Sequence, residues 1–86
     1  MYQIKFTPRG ERAFRKLPQF IQKLIKNKLF FYASQEDPLK FAKPLINLPP
    51  STHRFRIGKY RASFFVKEKT IFIEEISIRG KAYRRW

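Results

Sequence analysis

The sequence predicts an α+β fold in the order β-α-α-β-β-β, with a helical hairpin packed on one face of a mainly antiparallel four-stranded sheet. Three observations predict it. Residues 2–6 alternate apolar and polar side chains, as a half-buried strand does. Residues 8–36 carry apolar side chains at helical spacing, interrupted at Pro18. Residues 53–78 hold three strand-like runs separated by two short turn signals. Helices and strands segregated in this way make an α+β layer. With 86 residues, the chain fits one domain spanning 1–86, with one modest core.

The first strand alternates Tyr2, Ile4 and Phe6 with Gln3 and Lys5. Thr7-Pro8 then opens a helix, with Thr7 as N-cap and Pro8 at the first helical position, where its missing N–H costs little. Ala13, Phe14 and Leu17 give that helix its apolar side. From Pro18 to about Glu36, Ile21, Leu24, Ile25, Leu29 and Tyr32 form a second apolar stripe, which Phe20 and Phe31 widen. Asp37-Pro38 is expected to end it. The prolines at 38, 44, 49 and 50 mark an irregular connection over 38–52, pinned by Phe41 and Leu45. Strands are expected at 53–57, 60–67 and 70–78, joined at Gly58-Lys59 and near Glu68-Lys69. Ten Phe, four Tyr and one Trp imply an aromatic-rich core.

Charge is the second strong signal. Twenty Lys and Arg oppose six Asp and Glu, a formal net charge of +14. The segments Pro38–Lys67 and Ile76–Trp86 contain no acid at all. Such an excess makes nucleic acid the default partner, with an anionic surface or an acidic protein as alternatives. The absence of cysteine excludes disulfides and thiol chemistry and fits a reducing cytoplasm. The longest apolar run, Leu29–Ala33, is far too short to span a bilayer, so no membrane partner is expected.

The stretch Arg54-Phe-Arg-Ile-Gly-Lys-Tyr-Arg61 localises the charge. A type II′ turn with Gly58 at its first position pairs Ile57 with Tyr60 and sets Arg56 directly opposite Arg61. Arg54 joins them on the same face. Like charges so placed destabilise a sheet. A polyanion site explains them; a solvated outer face is the plain alternative. His53 is the only histidine, and the sequence shows no metal-ligand cluster, phosphate-cradling glycine loop or Ser-His-acid set. Glu74 and Glu75 are adjacent, so a regular strand would point them to opposite faces. No cofactor or metal is therefore expected. Arginine, lysine and tyrosine remain. A guanidinium can stabilise charge building on a phosphate. RNA supplies its own nucleophile, the 2′-hydroxyl, so a protein could cleave it by alignment and charge neutralisation alone.

The chain resembles the RelE/ParE toxin superfamily of toxin–antitoxin modules. The resemblance covers nearly the whole length: Tyr2-Gln-Ile-Lys-Phe, Lys16-Leu17-Pro18 between the helices, Asp37-Pro38, Leu45, the stretch Arg54–Arg61, and Arg79-Gly-Lys-Ala-Tyr83. It implies a ribosome-dependent mRNA endonuclease acting through the 2′-hydroxyl. The matched catalytic positions are Arg61, Arg79 and Tyr83. Arg54 and Arg56 match residues that hold substrate. Lys59, Lys81, Arg84 and Arg85 are basic neighbours assigned to RNA phosphates. The implied partners are the ribosome with its mRNA, and a cognate antitoxin whose acidic segment wraps the basic surface. Operator DNA would be met only through the toxin–antitoxin complex. Two features depart from or strain the pattern. Ile78 stands where many relatives carry histidine. An unbroken register from a turn at Glu68-Lys69 would also put Arg79 on the face opposite Arg61, unless a bulge or strand end after Ser77 re-aims it. A ParE-like gyrase inhibitor and a non-catalytic basic nucleic-acid-binding module are the alternative functions.

Overall fold

A computed structural model describes residues 1–78. The elements run β1 (Gln3–Phe6), α1 (Pro8–Arg15), α2 (Gln19–Ala33), a 3-10 turn (Pro38–Phe41), β2 (Ala42–Pro44), β3 (His53–Ile57), β4 (Tyr60–Lys67) and β5 (Thr70–Ile78). The sheet order is β1-β5-β4-β3-β2. Only β1 and β5 are parallel; the other pairs are antiparallel. The α+β class and mainly antiparallel sheet are as expected, but among the described residues the sheet has five strands and not four. The additional strand, β2, lies in the connection expected to be irregular. Its Pro44 donates no backbone hydrogen bond, which an edge strand tolerates. Leu45 N–H donates to the Thr52 carbonyl at 2.8 Å, closing the loop that follows.

Local chemistry sets the helices. Thr7 Oγ1 accepts from Gly10 N–H at 3.1 Å, and Pro8 occupies the first helical turn. Helix α2 ends at Ala33, ahead of the expected stop at Asp37-Pro38. Ser34 Oγ and Gln35 Nε2 donate to the Phe31 carbonyl at 2.7 and 3.0 Å and occupy the helix end. Asp37 instead caps the 3-10 turn by accepting from Leu39 N–H at 3.3 Å.

The core lies between α2 and one sheet face. Ile25 and Leu29 from the helix meet Phe55, Phe64, Ile71 and Ile73 from the strands, all fully buried. Tyr32, Phe55 and Phe64 stack in a column with successive centroids 4.3 Å apart. Burial raises the Tyr32 phenol above its ordinary pKa. The aromatic core is thus present, but only four of the ten phenylalanines belong to it or pack against it. Phe20, Phe30, Phe31 and Phe41 are exposed, as is Leu24. Leu24 therefore does not belong to the buried stripe of α2, and Phe20 and Phe31 do not widen it. They form a separate line on its outer side.

Candidate nucleic-acid interface

The basic site is built on the sheet face turned away from the helices. Gly58 has φ +60°, whereas Lys59 keeps a negative φ, the pattern of a type II′ turn. That turn fixes the register: Ile57 pairs with Tyr60, Arg56 with Arg61 and Arg54 with Ser63. Odd positions of β4 then share one face with even positions of β3. Ile57, Tyr60, Ala62 and Phe64 point into the core, and the three arginines are left on the open face.

Continuing the pairing across the sheet gives two rows. One reads Arg56, Arg61, Ser77; the other reads Lys43, Arg54, Ser63, Glu75. Arg56 is exposed, while Arg54 and Arg61 are half-buried and Lys59 is exposed at the turn. Partial burial, and after it the charge of Arg54, hold the Arg61 guanidinium below its ordinary pKa. It stays protonated at neutral pH regardless. A half-buried, charged fork beside a second one is suited to a bound anion, which relieves both the desolvation and the repulsion.

Four neighbours were not part of the site expected from sequence. Lys43 enters the Arg54 row only because β2 exists. Glu75 stands in the same row, so the arginine face is not free of acid. Phe65 and Phe72 stack at 5.1 Å and 17° on the open face, next along from Ser63. Their facing was recoverable, since Phe65 lies an even number of residues from Arg61.

The register of β5 also carries a correction. A shift falls between Ser63 and Phe64: Phe64 pairs with Ile73, but Ser63 pairs with Glu75. Glu74 is the extra residue of a β-bulge, placed before Ser77 and not after it. Ser77 consequently stands opposite Arg61, where an unbroken ladder would have put Ile76. The bulge also lets both neighbouring carboxylates reach one guanidinium, contrary to the expectation of opposite faces. Arg9 approaches Glu75 at 3.3 Å and Glu74 at 3.9 Å. The signal was in the spacing of Ile71, Ile73, Ile76 and Ile78, whose alternation skips a beat at 74–75.

Helix α1 is fastened to this point. The Ile73 carbonyl accepts from Thr7 N–H at 3.0 Å and from Thr7 Oγ1 at 3.2 Å. Gly10 lies so close that a Cβ there would sit 2.0 Å from the Ile73 oxygen. Arg79, Lys81, Tyr83, Arg84 and Arg85 lie outside the described residues. Among the described residues, no three His, Cys, Asp or Glu side chains are grouped to hold a metal, and no helix is long and apolar enough to cross a membrane.

No protein-family model and no curated protein sequence matches the chain. Solved structures do. A chain of the RelBE2 toxin–antitoxin complex from Mycobacterium tuberculosis superposes with a TM-score of 0.77 at 30% identity, covering 91% of this chain and 98% of that one. The chain belongs to the RelE-like toxin superfamily. The isolated RelE toxin of E. coli shares the fold, with a TM-score of 0.68 at 21% identity over 92% of this chain and 85% of its own. So does a chain of the archaeal RelE–RelB complex from Pyrococcus horikoshii OT3, with a TM-score of 0.70 at 24% identity over 93% and 97%. The arginine face of this RelE-like toxin is thus part of a fold found in toxins of toxin–antitoxin modules.

Proposed function

We propose that this RelE-like toxin is an endoribonuclease that cuts messenger RNA on the ribosome, in the cytoplasm. The observation that carries the reading is Arg56 set directly opposite Arg61, with Arg54 beside them, on the sheet face turned away from α1 and α2. In the reaction, the 2′-hydroxyl loses its proton and its oxygen attacks the adjacent phosphorus. The bond to the 5′-oxygen breaks, that oxygen takes up a proton, and a 2′,3′-cyclic phosphate and a 5′-hydroxyl result. The RNA provides the nucleophile, so the reaction does not require a metal-bound water. Arg61 stabilises the charge building on the phosphate oxygens. Arg54 and Arg56 hold the flanking backbone and fix the in-line geometry. Lys59, Lys81, Arg84 and Arg85 are assigned to further phosphates, Arg79 to the reacting phosphate and Tyr83 to the proton or to stacking. The phase of β5 supports including the tail, since Ser77, two residues before Arg79, faces Arg61. Stacked Phe65 and Phe72 add an aromatic surface suited to a base.

The relatives include complexes of RelE with RelB. For this chain we assign a cognate antitoxin with an acidic segment that covers the basic face, matched to the +14 charge. Operator DNA would be reached only through that complex.

Mapping the 5′ ends of messages after brief induction tests the reading. Wild type is expected to give new 5′-hydroxyl ends at codons in the ribosomal A site. Arg61→Ala is expected to reduce cutting by about 100-fold or more. Uncut messages, or equal cutting by Arg61→Ala, would sink it. Inhibited gyrase supercoiling with intact messages would replace it with a ParE-like activity.

A further inference from the structure

The outer side of α2 bears an apolar line that the fold does not cover. Phe20, Leu24, Asn27 and Phe31 are spaced 4, 3 and 4 residues apart, and all four are exposed. This is the d-a-d-a spacing of a coiled-coil seam, running along three turns of helix. Phe20 is 74% and Phe31 48% exposed, high values for side chains of that size. Phe41, itself exposed, packs edge-on against Phe31 at 5.8 Å and extends the apolar surface past the helix end. The core-facing residues Ile25 and Leu29 lie on a different side of α2, so this line is not a continuation of the core. It belongs to the helix layer, away from the sheet face that presents Arg56 and Arg61.

The flanks of the line say what it fits. With Leu24 at a, Lys23 and Lys28 fall at g and e, the positions that choose a partner by charge, while the other two flank positions, Ile21 and Phe30, are apolar. Helix α2 contains no acidic residue. Lys28 Nζ sits 5.9 Å from the centre of the Phe31 ring, beside the seam and not across it. A second copy of the chain would bring lysine against lysine between two molecules of charge +14, which disfavours self-pairing. Asn27, at d in this frame, interrupts the line with one polar side chain.

We infer that the outer side of α2 is a docking seam for an amphipathic helix of a partner protein, one with apolar a and d residues and acidic e and g residues. This surface is additional to the arginine face and does not depend on RNA cleavage. Its occupant is held by side chains on the helix layer, so the two surfaces are separable by mutation.

The test uses a labelled 21-residue peptide with leucine at a and d and glutamate at e and g, and its mate with lysine at e and g, titrated with the full chain by fluorescence anisotropy. The acid-flanked peptide is expected to bind about tenfold tighter or more than its mate. The double variant Leu24→Glu, Phe31→Glu is expected to weaken that binding about thirtyfold, the loss of a central apolar pair. An unchanged melting curve for that double variant is expected, because both side chains are exposed. Arg56→Glu, on the other side of the molecule, is expected to weaken binding less than threefold or so, a surface-charge effect alone. Equal binding of both peptides overturns the inference. So does binding that Arg56→Glu weakens as much as the seam variant, which would mark attraction by net charge only. A dimer of the free chain in sedimentation, abolished by the seam variant, would assign the seam to a second copy instead.

Discussion

The two antiparallel hairpins of this toxin use the same central strand to different ends. The β3–β4 hairpin is regular from His53 to Ile57, closes in a tight Gly58-Lys59 turn and sets two arginines face to face. The β4–β5 hairpin closes at Glu68-Lys69, both with positive φ, breaks its ladder at Glu74 and is fastened from outside by α1. The first places charge where the sheet alone would not favour it. The second places anchors: Thr7, Gly10 and Arg9 all converge on Ile73–Glu75. The arginine site is therefore carried on the β3–β4 hairpin, while α1 is anchored at the bulge of the other.

That contrast is open to attack at either hairpin. Gly10→Ala, at the anchor, should have the largest effect on stability. A Cβ 2.0 Å from a backbone oxygen forces α1 off β5, and a loss of about 3 kcal/mol is expected in urea denaturation. Gly58→Ala, at the charged hairpin, has open space around it but a left-handed backbone, so about 1 kcal/mol is expected. Similar losses at the two glycines would show that the hairpins are not so divided. Arg56→Ser should stabilise by several tenths of a kcal/mol at low salt, by relieving the repulsion across the ladder, and the gain should fade as salt is raised. Loss of stability in that variant would mean that the pair is not repulsive in the free protein. Arg9→Ala should do least, about 0.5 kcal/mol or under, because Arg9 is 58% exposed and its ion pairs are screened.

The same contrast explains which parts could be read from the sequence. The regular hairpin was legible because glycine at a two-residue turn fixes register outright, and register fixes facing. The helices were legible from Thr7-Pro8 and from the spacing of Ile25, Leu29 and Tyr32. Parity counted from the Glu68-Lys69 turn does not show the bulge; the broken alternation of the isoleucines at 74–75 does. Strand β2 was missed because three residues ending in proline carry no periodicity of their own. Its formation depends on β3, through pairing of Ala42 with Phe55. A helical apolar pattern does not reveal which of two stripes faces the sheet, so Phe20, Leu24 and Phe31 read as core from sequence alone. Ile25 and Leu29 won that position, and the outer stripe was left to solvent.

Strand β2 has a consequence for the free protein at high concentration. One rim of the sheet ends in three residues, Ala42-Lys43-Pro44, which offer an incoming chain a short ladder, a lysine and a position with no N–H. The other rim, β1, is four residues long, and its neighbour Tyr2 already donates to the Ala33 carbonyl at 3.0 Å. Neither border, among the described residues, is a good template for edge-to-edge growth into fibrils.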